Sequence, residues 1–229
     1  MKLSVFLILG LLFGEFVKAQ SAVDFANLAR YKDDNTVILN SKKKVDVVFM
    51  GNSITEGWVK SHPEFFSENN YTGRGISGQT TSQMLLRFQN DVIALKPRLV
   101  VINAGTNDIA ENTGIYNPDF TFNNIKAMAD IAKSNGIKVI IASVLPAAAF
   151  PWRKEITDAP QKVDALNNKL KQYAQSSKLI FADYNTAMRD AKGGMREGLA
   201  KDGIHPTPAG YAVMEPIIKN AINKASGKK

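Results

Sequence analysis

The stretch Val45–Gly57, VDVVFMGNSITEG, limits what this chain can fold into more than any other. Its β-branched and apolar residues from Val45 to Met50 suit a strand buried on both faces of a parallel sheet. Gly51 permits a sharp turn out of that strand, and Ser53 then falls at its carboxyl end. Open α/β sheets bind their ligands along that edge. A serine there is placed for chemistry if the chain elsewhere supplies a base, an orienting acid and donors for an oxyanion. The same letters also fit a helix N-cap, because Glu56 stands three residues after Ser53 in the spacing of a capping box.

Strand and helix patterns alternate along the rest of the chain. A helix is expected over Asp24–Asn40, then the strand Val45–Met50, a mixed segment Trp58–Asn70 and a short strand Tyr71–Gly75. Thr80–Leu95 has helical spacing (Met84, Leu85, Phe88, Val92), with Thr81 and Ser82 as candidate caps and Pro97 as a stop. Leu99–Ala104, Lys138–Leu145 and Leu179–Ala182 read as further strands. Phe122–Asn135, closed by Gly136, and Pro160–Ser177 read as helices. Thr207-Pro208 opens a last helix running towards Ile222. Such alternation, with no repeat or linker, predicts one domain over residues 20–229. Its fold class is α/β, a three-layer α/β/α sandwich around a parallel sheet of about five strands.

The opening MKLSVFLILGLLFGEFVKAQ reads as a signal peptide, residues 1–19, cleaved after Ala19. Its apolar run is too short to span a bilayer comfortably and is interrupted by Gly14-Glu15. A secreted or periplasmic protein without stable membrane insertion is therefore expected. The absence of cysteine excludes disulfides, a thiol nucleophile, a thiolate metal site and a lipid-modified cysteine. Formal charge is +8; the leader removes two lysines and one glutamate, a net +1 (2 − 1), leaving +7. The positive charge is dispersed and lacks a basic stripe with interleaved aromatics, which argues against nucleic acid as a partner. A solvated basic surface accounts for it; attraction to an acidic polysaccharide stays open.

Four small, polar, glycine-containing loops are expected at one sheet edge: residues 51–55 (GNSIT), 75–81 (GISGQTT), 104–110 (AGTNDIA) and 201–211 (KDGIHPTPAGY). His205 is a candidate base, and Asp202, three residues earlier with Gly203 between, could orient its ring; an ordinary Asp turn before a helix fits the same spacing. With His205 and His62 the only histidines, no zinc set is expected. His62, beside Pro63, reads as a surface residue. Asn107 can donate its side-chain amide to an oxyanion and Gly78 its unobstructed N–H, although a plain turn and a positive-φ position are the competing readings. Asp108 is assigned to holding loops together. Trp58, Tyr116, Phe150 and Trp152 are candidates to wall a pocket or stack on a sugar, or else are ordinary packing; Arg153 reads as a surface arginine. The elbow G-x-S-x-G is absent at Ser53, and GISGQTT lacks the dinucleotide pattern G-x-G-x-x-G.

Taken together, GNSITEG, ISGQTT, GTND and DGIHP resemble the four sequence blocks of the SGNH (GDSL-type) hydrolase superfamily, in order, from Gly51 to His205. The resemblance implies a flavodoxin-like sheet and serine ester hydrolysis without metal or cofactor. It makes Ser53 the nucleophile and one oxyanion donor, with Gly78 and Asn107 completing the hole, His205 the base and Asp202 its orienting acid. One departure is Asn52, where the family usually has aspartate; it keeps hydrogen-bonding capacity and loses charge. Gly210-Tyr211 after the last block is most similar to the acetylhydrolase and carbohydrate-esterase branch. The expected activity is therefore a secreted serine esterase acting on short-chain, most simply acetyl, esters of a small molecule or glycan. The alternatives are a lysophospholipase or short-chain lipase and, from another class, a catalytically silent glycan-binding module. Oligomeric state is left open.

Overall fold

The computed structural model describes residues 24–41 and 44–227; the expected leader at 1–19 lies outside them. Its centre is a sheet of five parallel strands: β1 (Val47–Gly51), β2 (Tyr71–Gly75), β3 (Leu99–Ile102), β4 (Lys138–Ala142) and β5 (Ile180–Ala182). Their spatial order is β2-β1-β3-β4-β5. Every residue of β1 and β3 is buried, which is why these segments read as unbroken apolar runs instead of alternating ones.

Because successive strand residues face opposite ways, each strand feeds two cores. On one face Val48, Met50, Val100, Ile102, Val139 and Ile141 pack against three helices, α4 (Thr81–Asp91), α6 (Pro118–Ser134) and α7 (Ala159–Ser176). The short helix α1 (Lys32–Asn40) adds Ile38 at the margin. On the other face Val47, Phe49, Leu99, Val101 and Ile140 meet α2 (Ser53–Ser61), α3 (Pro63–Ser67), α8 (Tyr184–Met188) and α9 (Pro208–Ser226). The result is the expected three-layer α/β sandwich. Among the described residues no helix is long and apolar enough to cross a membrane.

Several boundaries differ from expectation for local reasons. Residues 24–31 form turns, and α1 begins only at Lys32. The helix expected over Thr80–Leu95 ends at Asp91 and continues as a 3₁₀ turn, Ile93–Leu95, before Lys96 adopts φ +48°. Its cap is Thr80, paired with Gln83 in a capping box, and neither Thr81 nor Ser82 fills that position. Helix α6 starts at Pro118, not Phe122, because Asn117 accepts hydrogen bonds from the N–H groups of Asp119 and Phe120 at 3.1 and 2.9 Å. The strands β3 and β4 stop at Ile102 and Ala142, short of the expected Ala104 and Leu145, where their apolar runs continue as buried loop. An element that the sequence concealed is α5 (Thr106–Ile109), a single turn inside the GTND loop after β3.

Trp58 does not wall a pocket. It lies more than one turn into α2, is 2% exposed, and stacks between Phe65 and Tyr211, with ring centroids 5.1 and 5.6 Å away. Phe49, Phe66 and Tyr184 meet it edge-on. Removing so large a buried ring is expected to cost about 3–5 kcal/mol. Trp58→Ala should therefore lower the unfolding free energy by that amount while the folded fraction keeps its kcat, a result read from urea unfolding curves beside activity per folded molecule.

Candidate active site

Ser53 owes its position to two glycines and a cap. At the end of β1, a side chain on Gly51 would meet Thr55 Oγ1 at 2.1 Å; on Gly75, at the end of β2, it would meet Glu56 N at 2.3 Å. The first turn of α2 thus rests directly on the strand ends. Gly51 is required by that lack of space, and the chain turns out of the strand there without a positive φ. Asn52 caps the helix: its Oδ1 accepts from Ile54 N at 3.0 Å. This job needs only a side-chain oxygen, which asparagine retains. Ser53 is the first helical residue, so its own N–H has no intrahelical acceptor and lies at the positive end of the helix dipole.

The imidazole arrives from the loop before α9. Ser53 Oγ is 2.9 Å from His205 Nε2, and His205 Nδ1 is 2.7 Å from Asp202 Oδ2. A carboxylate only accepts, so Nδ1 carries the proton and Nε2 is left to accept from the serine hydroxyl. Gly203, at φ +82°, makes the turn, and Asp202 Oδ1 accepts from the N–H groups of Ile204 and His205 at 3.0 and 2.8 Å. Partial burial pushes the Asp202 carboxyl up, but these bonds and the imidazole outweigh it and hold its pKa below the usual value.

The loop 75–81 faces this pair from β2. Gly78 sits at φ +77°, and its carbonyl accepts from Asn112 Nδ2 at 3.1 Å. Asn107, buried in α5, donates one amide hydrogen to Gln79 O at 2.9 Å, leaving the second available. Asp108 ties the same two loops: it accepts from Thr81 N at 3.0 Å, from Thr81 Oγ1 at 2.5 Å and from Thr121 Oγ1 at 3.4 Å. Burial raises the Asp108 carboxyl pKa, against the pull of these donors.

Of the four aromatic pocket candidates, only Trp152 lies beside the pair. It is 42% exposed, its ring centroid is 6.1 Å from that of His205, and its Nε1 donates to Asn112 Oδ1 at 3.1 Å. Phe150 is wholly buried beneath it at 5.6 Å. Tyr116 packs on the first core and its hydroxyl ends inside the protein, where burial pushes its pKa up to about 12. Phe150 follows β4 and Tyr116 follows α5, and both pack on the first core. Arg153 fastens two loops by donating to Glu111 O at 2.7 Å. His62 is not a free surface residue: it is half-buried between α2 and α3 and pairs with Glu215 of α9 at 2.5 Å. Among the described residues no cluster of three or more His, Cys, Asp or Glu is arranged to hold a metal.

Three positioning groups escaped the sequence. Glu56 has the spacing of a capping-box partner, yet it reaches across to the oxyanion-side loop, accepting from Ser77 N and Oγ at 2.9 and 2.7 Å and from Lys60 at 2.7 Å. Tyr211 donates to Ile54 O at 2.9 Å, docking α9 on the turn after the serine. Arg87, fully buried in α4, donates to Gly51 O and Arg74 O at 2.9 Å each, to Gln79 Oε1 at 2.6 Å and to Asp91 at 2.9 Å. An arginine on a helix face lined with Met84 and Phe88 gives no sign in sequence that it ends on strand carbonyls.

Burial pushes the Glu56 carboxyl up, but the bonds from Lys60 and Ser77 win and its pKa lies below the ordinary 4.5. Its contribution to stability is thus complete above pH 4.5 and is lost as pH falls through the lower, folded value. Glu56→Gln should flatten the acid limb of stability below that pH, as read from urea midpoints across a pH series. Arg87→Met should cost about 3–5 kcal/mol, because Asp91 is left buried without its ion-pair partner. The same variant should lower kcat in the folded fraction by releasing Gly51 and Gln79 together.

Comparison with known proteins places the chain in a family. A crystallised GDSL-like lipase from Bacteroides thetaiotaomicron is 55% identical, with 88% of this chain and 99% of that chain covered and a TM-score of 0.84. Esterase TesA of Pseudomonas aeruginosa is 25% identical over 164 residues, 70% of this chain and 75% of that protein. An acetylxylan esterase from Geobacillus stearothermophilus, 21% identical over 79% of this chain and 96% of its own, shares the fold at a TM-score of 0.60. Residues 49–213, from the middle of β1 into α9, match the GDSL-like lipase/acylhydrolase family. With a serine, an imidazole and a carboxylate in hydrogen-bonded series at the carboxyl edge of that sheet, this chain belongs to the GDSL-like lipase/acylhydrolase family of ester hydrolases.

Proposed function

We propose that this chain is an exported serine esterase that removes short acyl groups, acetyl above all, from carbohydrates. The carrying observation is the 2.9 Å approach of Ser53 Oγ to His205 Nε2, with Asp202 at 2.7 Å behind the ring. Ser53 Oγ attacks the ester carbonyl while His205 takes its proton, and Asp202 stabilises the imidazolium. The carbonyl oxygen becomes an oxyanion, received by Ser53 N–H, Gly78 N–H and the free amide hydrogen of Asn107. Collapse breaks the bond to the alcohol oxygen, which receives the proton from His205 and leaves an acyl group on Ser53. Water, deprotonated by the same imidazole, then releases the acid.

The preference for a sugar ester draws support from Trp152, whose partly exposed ring stands beside the imidazole and can stack on a pyranose face. The fold shared with an acetylxylan esterase points the same way. A second reading, a lipase for longer chains, is favoured by the name of the 55% identical neighbour. Hydrolysis of p-nitrophenyl esters tests both. Ser53→Ala and His205→Ala should each lose on the order of 10³-fold or more in kcat, and undiminished turnover in either would remove the assignment. Across acyl lengths, kcat/KM should be highest at acetyl; a maximum at long chains would select the lipase.

A further inference from the structure

On the imidazole side of Ser53 lies a cleft of about 320 Å³, lined among others by Ser53, His205, Lys60, Lys201, Pro206 and Tyr211. No residue of the loops 75–81 or 104–110, which carry the oxyanion donors, lines it. The carbonyl oxygen of a bound ester therefore points away from this cleft. The alcohol oxygen must lie within reach of His205 Nε2 to receive its proton, so the alcohol portion of the substrate enters here.

The charges in this cleft are one-sided. Among the described residues, both ionised side chains on its wall are lysines and none is acidic. Lys201 is exposed and is in no ion pair among the described residues; its backbone N–H donates to His205 O at 2.9 Å, fixing where the side chain starts. Lys60 shares Glu56 at 2.7 Å, but Arg30 stands 4.0 Å from the same carboxylate, so that trio also carries a net positive charge. The Asp202 carboxylate is turned to the far nitrogen of the ring, Nδ1.

We infer that the alcohol portion of the substrate carries an anion, and that the enzyme deacylates a sugar bearing a carboxylate, with Lys201 as the main recognising group and Lys60 as a second. This rests on the esterase reading above and narrows its substrate class. A sugar acid fits better than a lipid headgroup because Trp152, just outside the cleft, stands with its ring centroid 6.1 Å from that of His205, where a pyranose face could stack.

The test compares an O-acetylated methyl glucuronoside with its carboxylate free against the same compound as the neutral uronamide, with p-nitrophenyl acetate alongside. The acid should be preferred by about fivefold in kcat/KM, the size of one partly exposed charge pair. Raising salt to about 1 M, where screening acts within about 3 Å, should bring the ratio close to one. Lys201→Gln should cut the acid-to-amide ratio about fivefold, Lys201→Arg should retain it, and Lys60→Gln should reduce it less. A ratio near one in the wild type, or a preference that survives Lys201→Gln, overturns the inference. A Lys201-dependent preference for acetylglycerol phosphate over the glucuronoside also overturns it, moving the anion from a sugar carboxylate to a phosphate. Failure on p-nitrophenyl acetate as well would instead remove the esterase reading from which the inference starts.

Discussion

One buried guanidinium holds the two halves of the site in register. Arg87 donates to the last carbonyl of β1, to the carbonyl of Arg74 one strand over, and to the side chain of Gln79. The first of these fixes the strand that ends two residues before Ser53. The last fixes the loop that carries Gly78, and Gln79 in turn presents its carbonyl to Asn107. A planar fork with several donors can satisfy such separated acceptors at once, which a lysine's single ammonium group cannot do with the same geometry. Burial lowers the Arg87 pKa, and Asp91, on the same helix one turn away, opposes that effect. Hydrophobic packing sets the layers of this molecule, whereas the placement of the loop 75–81 against the end of β1 depends on this polar joint.

The remaining loops are held in the same style, by side chains that serve the main chain. Glu56 accepts from Ser77, Asp108 from Thr81, and Asn112 donates to the carbonyl of Gly78 while receiving the indole N–H of Trp152. The loop 75–81 is thereby gripped from three directions, which suits a group whose N–H must be aimed before charge develops. The imidazole side is simpler. A tight turn at Gly203 and the docking of Tyr211 on Ile54 O bring His205 to the serine.

Much of this was readable in the sequence, and the limits have physical causes. The strands were legible because burial on both faces produces continuous apolar runs in β1, β3 and β4. The four loops were legible because glycines and small polar residues cluster where strands meet chemistry. Gly51 was read as permitting a sharp turn, but it is also needed to let Thr55 approach, a matter of space that one chain segment cannot reveal. Glu56 had the right spacing for a local cap, but the cap is Asn52 and the glutamate serves a loop 21 residues later. Trp58 and Phe150 were misjudged for one reason: an aromatic after a strand can turn either to solvent or to the core. Trp58 joins the core on the α2 and α9 side of the sheet and Phe150 the opposite core. Trp152 differs only in standing at the tip of its loop, with Phe150 already filling the space below.

The serine and the imidazole are 152 positions apart in the chain. During synthesis the nucleophile emerges early, and its partner follows only with the segment leading into α9. Until that terminal helix docks through Tyr211, the hydroxyl has no base and the nascent polypeptide is chemically inert. Reactivity therefore appears late in folding.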